Sequence, residues 1–154
     1  MRLMSRAGTE GYTYVAALAV LVGVSLTAQT AFIPTQSAAI RDREAELLFR
    51  GEAYRAAIAR YWAAGGAAPR LPERLEDLLD DPRGNGLRHL RRLYRAPLGG
   101  EWEILRGADG GIAGVAPRAD GVPRRRANFP EGLEAFADAD TYADWRFQFE
   151  PPSR

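Results

Sequence analysis

The chain of 154 residues contains no cysteine and no lysine, and it has a single histidine. Without cysteine, disulfide frameworks and thiolate metal sites are excluded, so the folded part must be held together by its core. With one histidine and no cysteine, the residues do not assemble into a nucleophile–base–acid set. We therefore expect a protein that is not an enzyme and that uses no cofactor and no metal.

The chain also lacks an excess of charge. Its formal net charge is +1, so no broad basic field indicates nucleic acid as a partner. The glycine-rich stretch 107–114 has neither the lysine nor the strand-to-helix context of a phosphate-binding loop. Arginines cluster in two places, which we interpret as solvated or subunit-contacting surface: Arg88, Arg91, Arg92 and Arg95, and Arg124–Arg126.

What the chain does have is one long uncharged stretch near its N-terminus, from residue 11 to residue 40. Its most apolar part, residues 12–33, is 22 residues long, and about 20 apolar residues span a bilayer as a helix. Arg2 and Arg6 precede it, which places the N-terminus in the cytoplasm by the positive-inside rule. The sequence thus predicts a single-pass inner-membrane protein, in contact with membrane lipid, with a periplasmic C-terminal part.

The small residue that would suit a processing site, Gly11, lies before this apolar segment. In a general secretory signal the site follows the apolar core, so cleavage after Gly11 would leave the apolar helix on the mature chain. The alternatives are a secretory signal with its core at Tyr14–Leu26, which lacks a clear A-x-A site near Ala28–Ala31, and an uncleaved signal anchor.

This N-terminal region resembles that of type IV pilin-like proteins, and more narrowly that of pseudopilins of type II secretion systems. Gly11 matches the family's residue before the cut, Tyr12 stands where the N-methylated mature N-terminus lies, and Thr13 matches the small polar second residue. Pro34 is close to where many family stems carry a helix-bending proline. Ala16 departs from the pattern, because it occupies the position of the stem glutamate thought to pair with a neighbouring subunit's amine.

Helical periodicity continues beyond the apolar stretch. Apolar residues recur on one face up to the helix-stopping pair Gly65-Gly66: Ile40, Leu47, Tyr54, Ile58 and Tyr61. A helix over 12–64 would be roughly 80 Å long at ~1.5 Å per residue, too long to bury in a small domain. We therefore expect a stem over 12–33 and a spine over 34–64, with a kink at Pro34.

The remaining residues, 65–154, predict a small α+β head. We expect a short helix opening at Leu71-Pro72-Glu73, and a second helix carrying Leu87, Leu90, Leu93 and Tyr94 with Asn85 as its cap. A β-hairpin is predicted from 102–105 and 112–116, followed by a long loop over 117–144. Alternation of aromatic and polar residues over 145–149 predicts a final strand.

The order of these elements also resembles the head of the major pseudopilin. Residues 71–78 are similar to the family's proline-started segment, and residues 96–102 to its turn into the first strand, although Ala96 and Leu98 depart from that pattern. The resemblance implies a pilin-like fold: a long N-terminal helix, membrane stem plus spine, packed on a three-stranded antiparallel sheet. Residues 1–11 would be the prepilin leader.

Three groups of head residues have competing interpretations. Acids in the loop could bind Ca²⁺, as the resemblance to the major pseudopilin suggests, but their spacing fits no closed ligand loop and we favour caps and solvated turns: Asp138, Asp140 and Asp144, with Asp120 and Glu134. His89 is interpreted as a surface residue. The aromatic residues are interpreted as head core: Tyr54, Tyr61, Trp62, Trp102, Phe147 and Phe149.

The resemblance implies a structural function. The chain would be a subunit of a type II secretion pseudopilus, cut by a prepilin peptidase, methylated at Tyr12, and assembled through its apolar stem to drive protein export. Its partners would be other pseudopilin subunits, the peptidase and the inner-membrane secretion platform. The alternatives are a type IV pilus minor pilin, or an inner-membrane-anchored periplasmic adaptor domain that never polymerises.

Overall fold

The computed structural model of the chain describes residues 10–84 and 86–152, and within its first helix it describes side chains at 14–20 and from 37 onward. The chain divides into two compact units, Met1–Ile40 and Arg41–Arg154. The second unit contains the sheet and all of the buried core residues that the structure describes.

One α-helix, α1, runs from Glu10 to Ala63, 54 residues in all. Its C-terminal end agrees with the predicted stop, since Gly66 follows in the left-handed conformation with φ of 59°. The helix is unbroken at Pro34, whose side chain is outside the described part. Residues 1–9 of the predicted leader 1–11 and the predicted cap Asn85 also lie outside the described residues.

The predicted fold class is nevertheless wrong in how this helix relates to the sheet. Only the stretch from Arg41 onward belongs to the unit that holds the sheet, and buried side chains of α1 begin at Glu44 and end at Tyr61. The reason is size, because a strand of six residues is only about 20 Å long and covers few helical turns. A short helical segment, not a long stem plus spine, packs on the sheet.

Among the residues that the structure describes, no helix is long and apolar enough to cross a membrane. A transmembrane helix needs about 20 consecutive apolar residues. This finding contradicts the predicted single-pass inner-membrane placement.

The sheet has three antiparallel strands in the order β1-β2-β3: Trp102–Arg106, Ile112–Pro117 and Phe147–Gln148. The predicted hairpin is confirmed, with Glu103 opposite Ala116 and Leu105 opposite Gly114. All six residues of β2 are buried, as expected for the central strand. The final strand is shorter than predicted, because only Phe147 and Gln148 join the ladder.

The second unit contains three short 3₁₀ helices: Leu75–Leu78, Glu134–Asp138 and Tyr142–Asp144. The first lies within the predicted short helix that opens at Leu71-Pro72-Glu73, and the other two lie in the predicted loop over 117–144. The predicted helix over 87–94 does not form. Its backbone is used in tertiary contacts, since the N–H groups of His89 and Leu90 both donate to the carbonyl of Leu78, at 2.9 and 2.8 Å. A helix would have directed these donors along its own axis.

Aromatic residues fill the space between α1 and the sheet, as predicted. Phe147 is fully buried and makes edge-to-face contacts with Trp102 and Phe136, at centroid distances of 6.2 and 5.1 Å. The Tyr54 hydroxyl accepts a hydrogen bond from the backbone N–H of Tyr94 and donates to its carbonyl, at 2.8 and 3.0 Å. The α1 segment is thereby connected both to β3 and to the chain at 94.

The closest approach of helix and sheet occurs at Gly51. A Cβ built at this position would lie 2.4 Å from the ring of Phe147, so a side chain there would displace the ring. We expect Gly51→Ala to lower the free energy of unfolding by roughly 1–3 kcal/mol, even though alanine is the better helix former. Urea denaturation followed by circular dichroism measures the change.

The matched test is the same substitution in a Phe147→Leu background, where the smaller side chain leaves room for the new methyl group. In that background we expect Gly51→Ala to lower the free energy of unfolding by clearly less than it does in the wild type. The effects of the two substitutions on stability are then non-additive. Equal costs in both backgrounds would show that the contact with Phe147 is not the cause.

Candidate assembly surface

The first unit presents an apolar helical surface. Within the described stretch 14–20 of α1, four large apolar side chains are exposed. Their exposed fractions are 77% for Tyr14, 69% for Val15, 56% for Leu18 and 66% for Val20. Exposed apolar patches of this kind are typical of interaction surfaces, and we call this stretch the apolar helix surface.

Of the residues predicted for processing and stem assembly, Ala16 lies within this surface, and the other four lie before or after it in α1. Gly11, Tyr12 and Thr13 lie in α1, with side chains outside the described part, and Ala16 is exposed on the helix. Pro34 is in the same unit, again without a described side chain.

The second unit has one further exposed apolar position on α1. Phe49 is 63% exposed and borders an apolar groove of about 380 Å³. The groove is lined by Leu48, Phe49, Glu52, Ala53, Ala56 and Pro130. A neighbouring cleft of about 750 Å³ lies between the same helix and the C-terminal segment, and its lining includes Arg55, Asp144 and Arg146.

A buried carboxylate on α1 holds the long loop over 117–144 in place. Glu44 is 1% exposed, and its Oε1 accepts hydrogen bonds from the Tyr142 hydroxyl at 2.8 Å and from the backbone N–H groups of Arg124 and Arg125 at 2.6 and 3.3 Å. Sequence reasoning missed this residue. The available signal was an acid on the apolar face of the helix, between Ile40 and Leu47.

Burial, together with the hydrogen bond to Glu44, raises the pKa of Tyr142 to about 12. The neutral phenol is favoured because deprotonation would place a second negative charge beside the carboxylate in a poorly solvated site. The hydroxyl of Tyr142 therefore remains a donor to Glu44 throughout the neutral pH range.

The single histidine is buried, so its predicted surface position is wrong. His89 is 7% exposed and its Nε2 lies 3.2 Å from Oδ2 of Asp81. The guanidinium of Arg83 also pairs with this carboxylate and lies 4.0 Å from the centroid of the Tyr61 ring. The hydrogen bonds that Arg83 donates to the Asp81 carboxylate raise the pKa of Arg83. A buried polar group that has a hydrogen-bond partner costs little free energy. The contact with Asp81 therefore allows His89 to be buried although the neighbouring arginines are exposed.

In the acidic loop, carboxylates cap backbone groups or face solvent. Among the residues that the structure describes, no cluster of three or more His, Cys, Asp or Glu side chains is placed to hold a metal ion. Asp144 instead accepts hydrogen bonds from the backbone N–H and the hydroxyl of Thr141, at 2.8 and 2.9 Å, and these bonds lower the pKa of Asp144. Asp138 and Asp140 are exposed.

The two arginine clusters have different environments. Arg88, Arg91, Arg92 and Arg95 are exposed on a non-helical segment. In the other cluster, Arg126 donates to the carbonyls of Ala137 and Ala139, at 3.1 and 2.6 Å, and so holds the loop internally.

Comparison of the chain with models of known protein families, with curated proteins and with solved structures found no match.

The structure predicts that Glu44 is the anchor of the loop. We expect Glu44→Ala to lower the free energy of unfolding by roughly 2–4 kcal/mol, because it leaves buried donors without an acceptor. The matched control is Glu46→Ala, which removes an exposed ion pair with Arg50 and should cost less than about 1 kcal/mol. Chemical denaturation measures both, and similar costs would contradict the anchoring role.

The raised pKa of Tyr142 predicts a loss of stability at alkaline pH. The folded state holds its phenolic proton up to about pH 12, whereas an unfolded tyrosine releases it near pH 10. The stabilisation of the folded state by the protonated Tyr142 is therefore complete below pH 10 and is lost as the pH rises toward 12. Unfolding of the wild type and of Tyr142→Phe, measured from pH 8 to 12, should show a smaller loss in the variant. Parallel curves would contradict the assignment.

Proposed function

We propose that the chain is a structural subunit of a pilin-like filament, most closely a type II secretion pseudopilus, assembled by contacts between the N-terminal helices of neighbouring subunits. The observation that carries this proposal is the apolar helix surface, with Tyr14, Val15, Leu18 and Val20 exposed. Covering each such side chain with a protein partner contributes roughly 1.5–3 kcal/mol.

The organisation of the second unit supports the same proposal. It has a core of its own, formed by the helical segment from Glu44 to Tyr61 and the three-stranded sheet. Such a unit does not need the apolar helix surface for its own packing. The first unit is therefore available for contacts with other subunits while the second unit coats the assembly.

Processing is the step that would prepare the helix for assembly. In this proposal a prepilin peptidase cuts between Gly11 and Tyr12, and the new N-terminal residue is methylated. Ala16 is exposed and offers no acid to the new amine. We propose that the new amine interacts with the hydroxyl of Thr13 or with a glutamate of another subunit, which is consistent with a minor or divergent subunit.

Two other functions remain as outcomes of the test. A minor pilin of a type IV pilus would be processed in the same way, so the two differ in which assembly incorporates the chain. An adaptor domain that never polymerises would keep Met1 or begin near residues 29–32, and its apolar helix surface would not contact other copies.

The first experiment is intact-mass measurement and N-terminal sequencing of the full chain produced with and without a prepilin peptidase. We expect a mature chain that begins at methylated Tyr12 only when the peptidase is present. A chain that still begins at Met1, or one that begins near Ala31, would refute the proposal.

A matched pair of glycine substitutions sharpens this experiment. Gly11→Val places a branched side chain beside the scissile bond, and we expect it to reduce processing by about tenfold or more, equivalent to roughly 1.4 kcal/mol in the barrier. Gly8→Val makes the same change three residues away and should leave processing unchanged. Equal processing of the two variants would argue against cleavage at Gly11.

A further inference from the structure

One surface segment of the second unit is strongly basic. Residues 86–95 carry four exposed arginines, and no acid occurs between Pro82 and Gly100. We call this segment the arginine strip; its exposed arginines are Arg88, Arg91, Arg92 and Arg95. Leu87 and Leu93 are also exposed, at 45% and 37%, so the surface combines positive charge with apolar contact area.

The backbone of the arginine strip is held in a defined position. The side chain of Arg60 donates to the carbonyl of His89 at 2.7 Å, and the side chain of Arg50 donates to the carbonyl of Arg95 at 2.7 Å. In the described part of the chain, none of the strip's exposed arginines takes part in an ion pair within 4.0 Å. Arg88 donates its Nε–H to the carbonyl of Leu79 at 3.2 Å, and the guanidinium of Arg92 lies 5.2 Å from the centroid of the Tyr94 ring. Exposed arginines on a fixed backbone, without an ion pair of their own, are preorganised for an acidic partner.

A second surface segment carries the opposite charge. Residues 131–150 contain six exposed acids and one arginine, Arg146. We call it the acidic segment; its acids are Glu131, Glu134, Asp138, Asp140, Asp144 and Glu150. Two neighbouring arginines reduce its charge only in part. Arg126 donates to carbonyls within the segment, and Arg55 is already paired through two bonds to Glu52.

The two segments contact different sides of α1. Arg50 and Tyr54, which bind the arginine strip, lie within about 40° of each other around the helix, at about 100° per residue. Arg55 and Ala59, which line the cleft formed with the acidic segment, lie about 140–180° away from Arg50. Arg60, which also binds the strip, lies about 80° from Arg50 in the opposite sense. The two segments thus lie along largely different sides of the helix, and among the residues that the structure describes no ion pair within 4.0 Å joins them.

From this separation we infer that the acidic segment of a second copy of this chain binds the arginine strip. The contact joins two different surfaces, so it is heterologous, and repeating it from copy to copy builds a chain of subunits without closing a dimer. This inference deepens the proposed function and rests on it, because it names the contact between the second units of successive subunits.

The absence of cysteine allows a direct test with the full chain. Two single-cysteine proteins are prepared, Leu93→Cys in the arginine strip and Ala135→Cys in the acidic segment, and both keep every charge. When they are mixed under mild oxidation, we expect the mixed disulfide dimer to exceed either homodimer by about fivefold or more, because complementary potentials bring unlike surfaces together. Predominance of either homodimer, or no dimer, would overturn the inference.

Charge reversal provides the internal control. Arg91→Glu with Arg92→Glu in the first protein should abolish the mixed dimer. Adding Asp138→Arg with Asp140→Arg in the second protein should restore it, which a folding defect would not do. Ile104→Cys, on β1 outside both segments, replaces Ala135→Cys as the matched negative control and should give no excess of mixed dimer.

Two further readouts separate this inference from the proposed function. Mixed-dimer formation should weaken as salt rises from 0.05 to 1 M, since the screening length falls to about 3 Å; insensitivity to salt would overturn the electrostatic contact.

N-terminal sequencing of the same samples reports processing independently. Processing at Tyr12 without mixed dimers refutes the inference alone, and mixed dimers without processing support the contact while refuting the proposed function.

Discussion

The packing of Phe147 on the backbone of α1 at Gly51 is the contact on which the rest of the second unit depends. It sets how closely β3 approaches the helix, because the ring occupies the space where any other residue at 51 would place its Cβ. Trp102 and Phe136 then pack edge-on to the same ring, connecting the first strand and the C-terminal loop to it. A small sheet with one two-residue strand thereby obtains a dense aromatic core.

Two buried polar groups hold the long irregular segments that such a core cannot order. Glu44 gathers donors from the loop over 117–144, and Asp81 gathers His89 and Arg83 from the segment that follows Leu78. Irregular backbone lacks the regular hydrogen bonds of a helix or a sheet, so its N–H and C=O groups need fixed partners elsewhere. This fixed backbone presents arginines on one side of the helix and carboxylates on the other.

The proposed filament combines two kinds of contact with different physical character. The apolar helix surface of the first unit offers burial that is favourable but poorly directional. The charged segments of the second unit offer little net affinity but select one orientation of approach. Together they would set both the strength and the polarity of a repeating assembly, which neither contact would define alone.

Local pattern in the sequence determined the helix, its end at Gly65-Gly66, the hairpin and the aromatic core, because periodicity and turn residues act over a few neighbours. The exposed apolar stretch of the first unit could be predicted for the same reason. The burial of His89, the role of Glu44 and the loss of the helix over 87–94 could not, because each depends on partners 8 to 98 residues away in the chain. The short helical contact with the sheet and the separation of opposite charges around α1 were likewise decided only by tertiary structure, since which face of a helix is covered depends on the elements that pack against it.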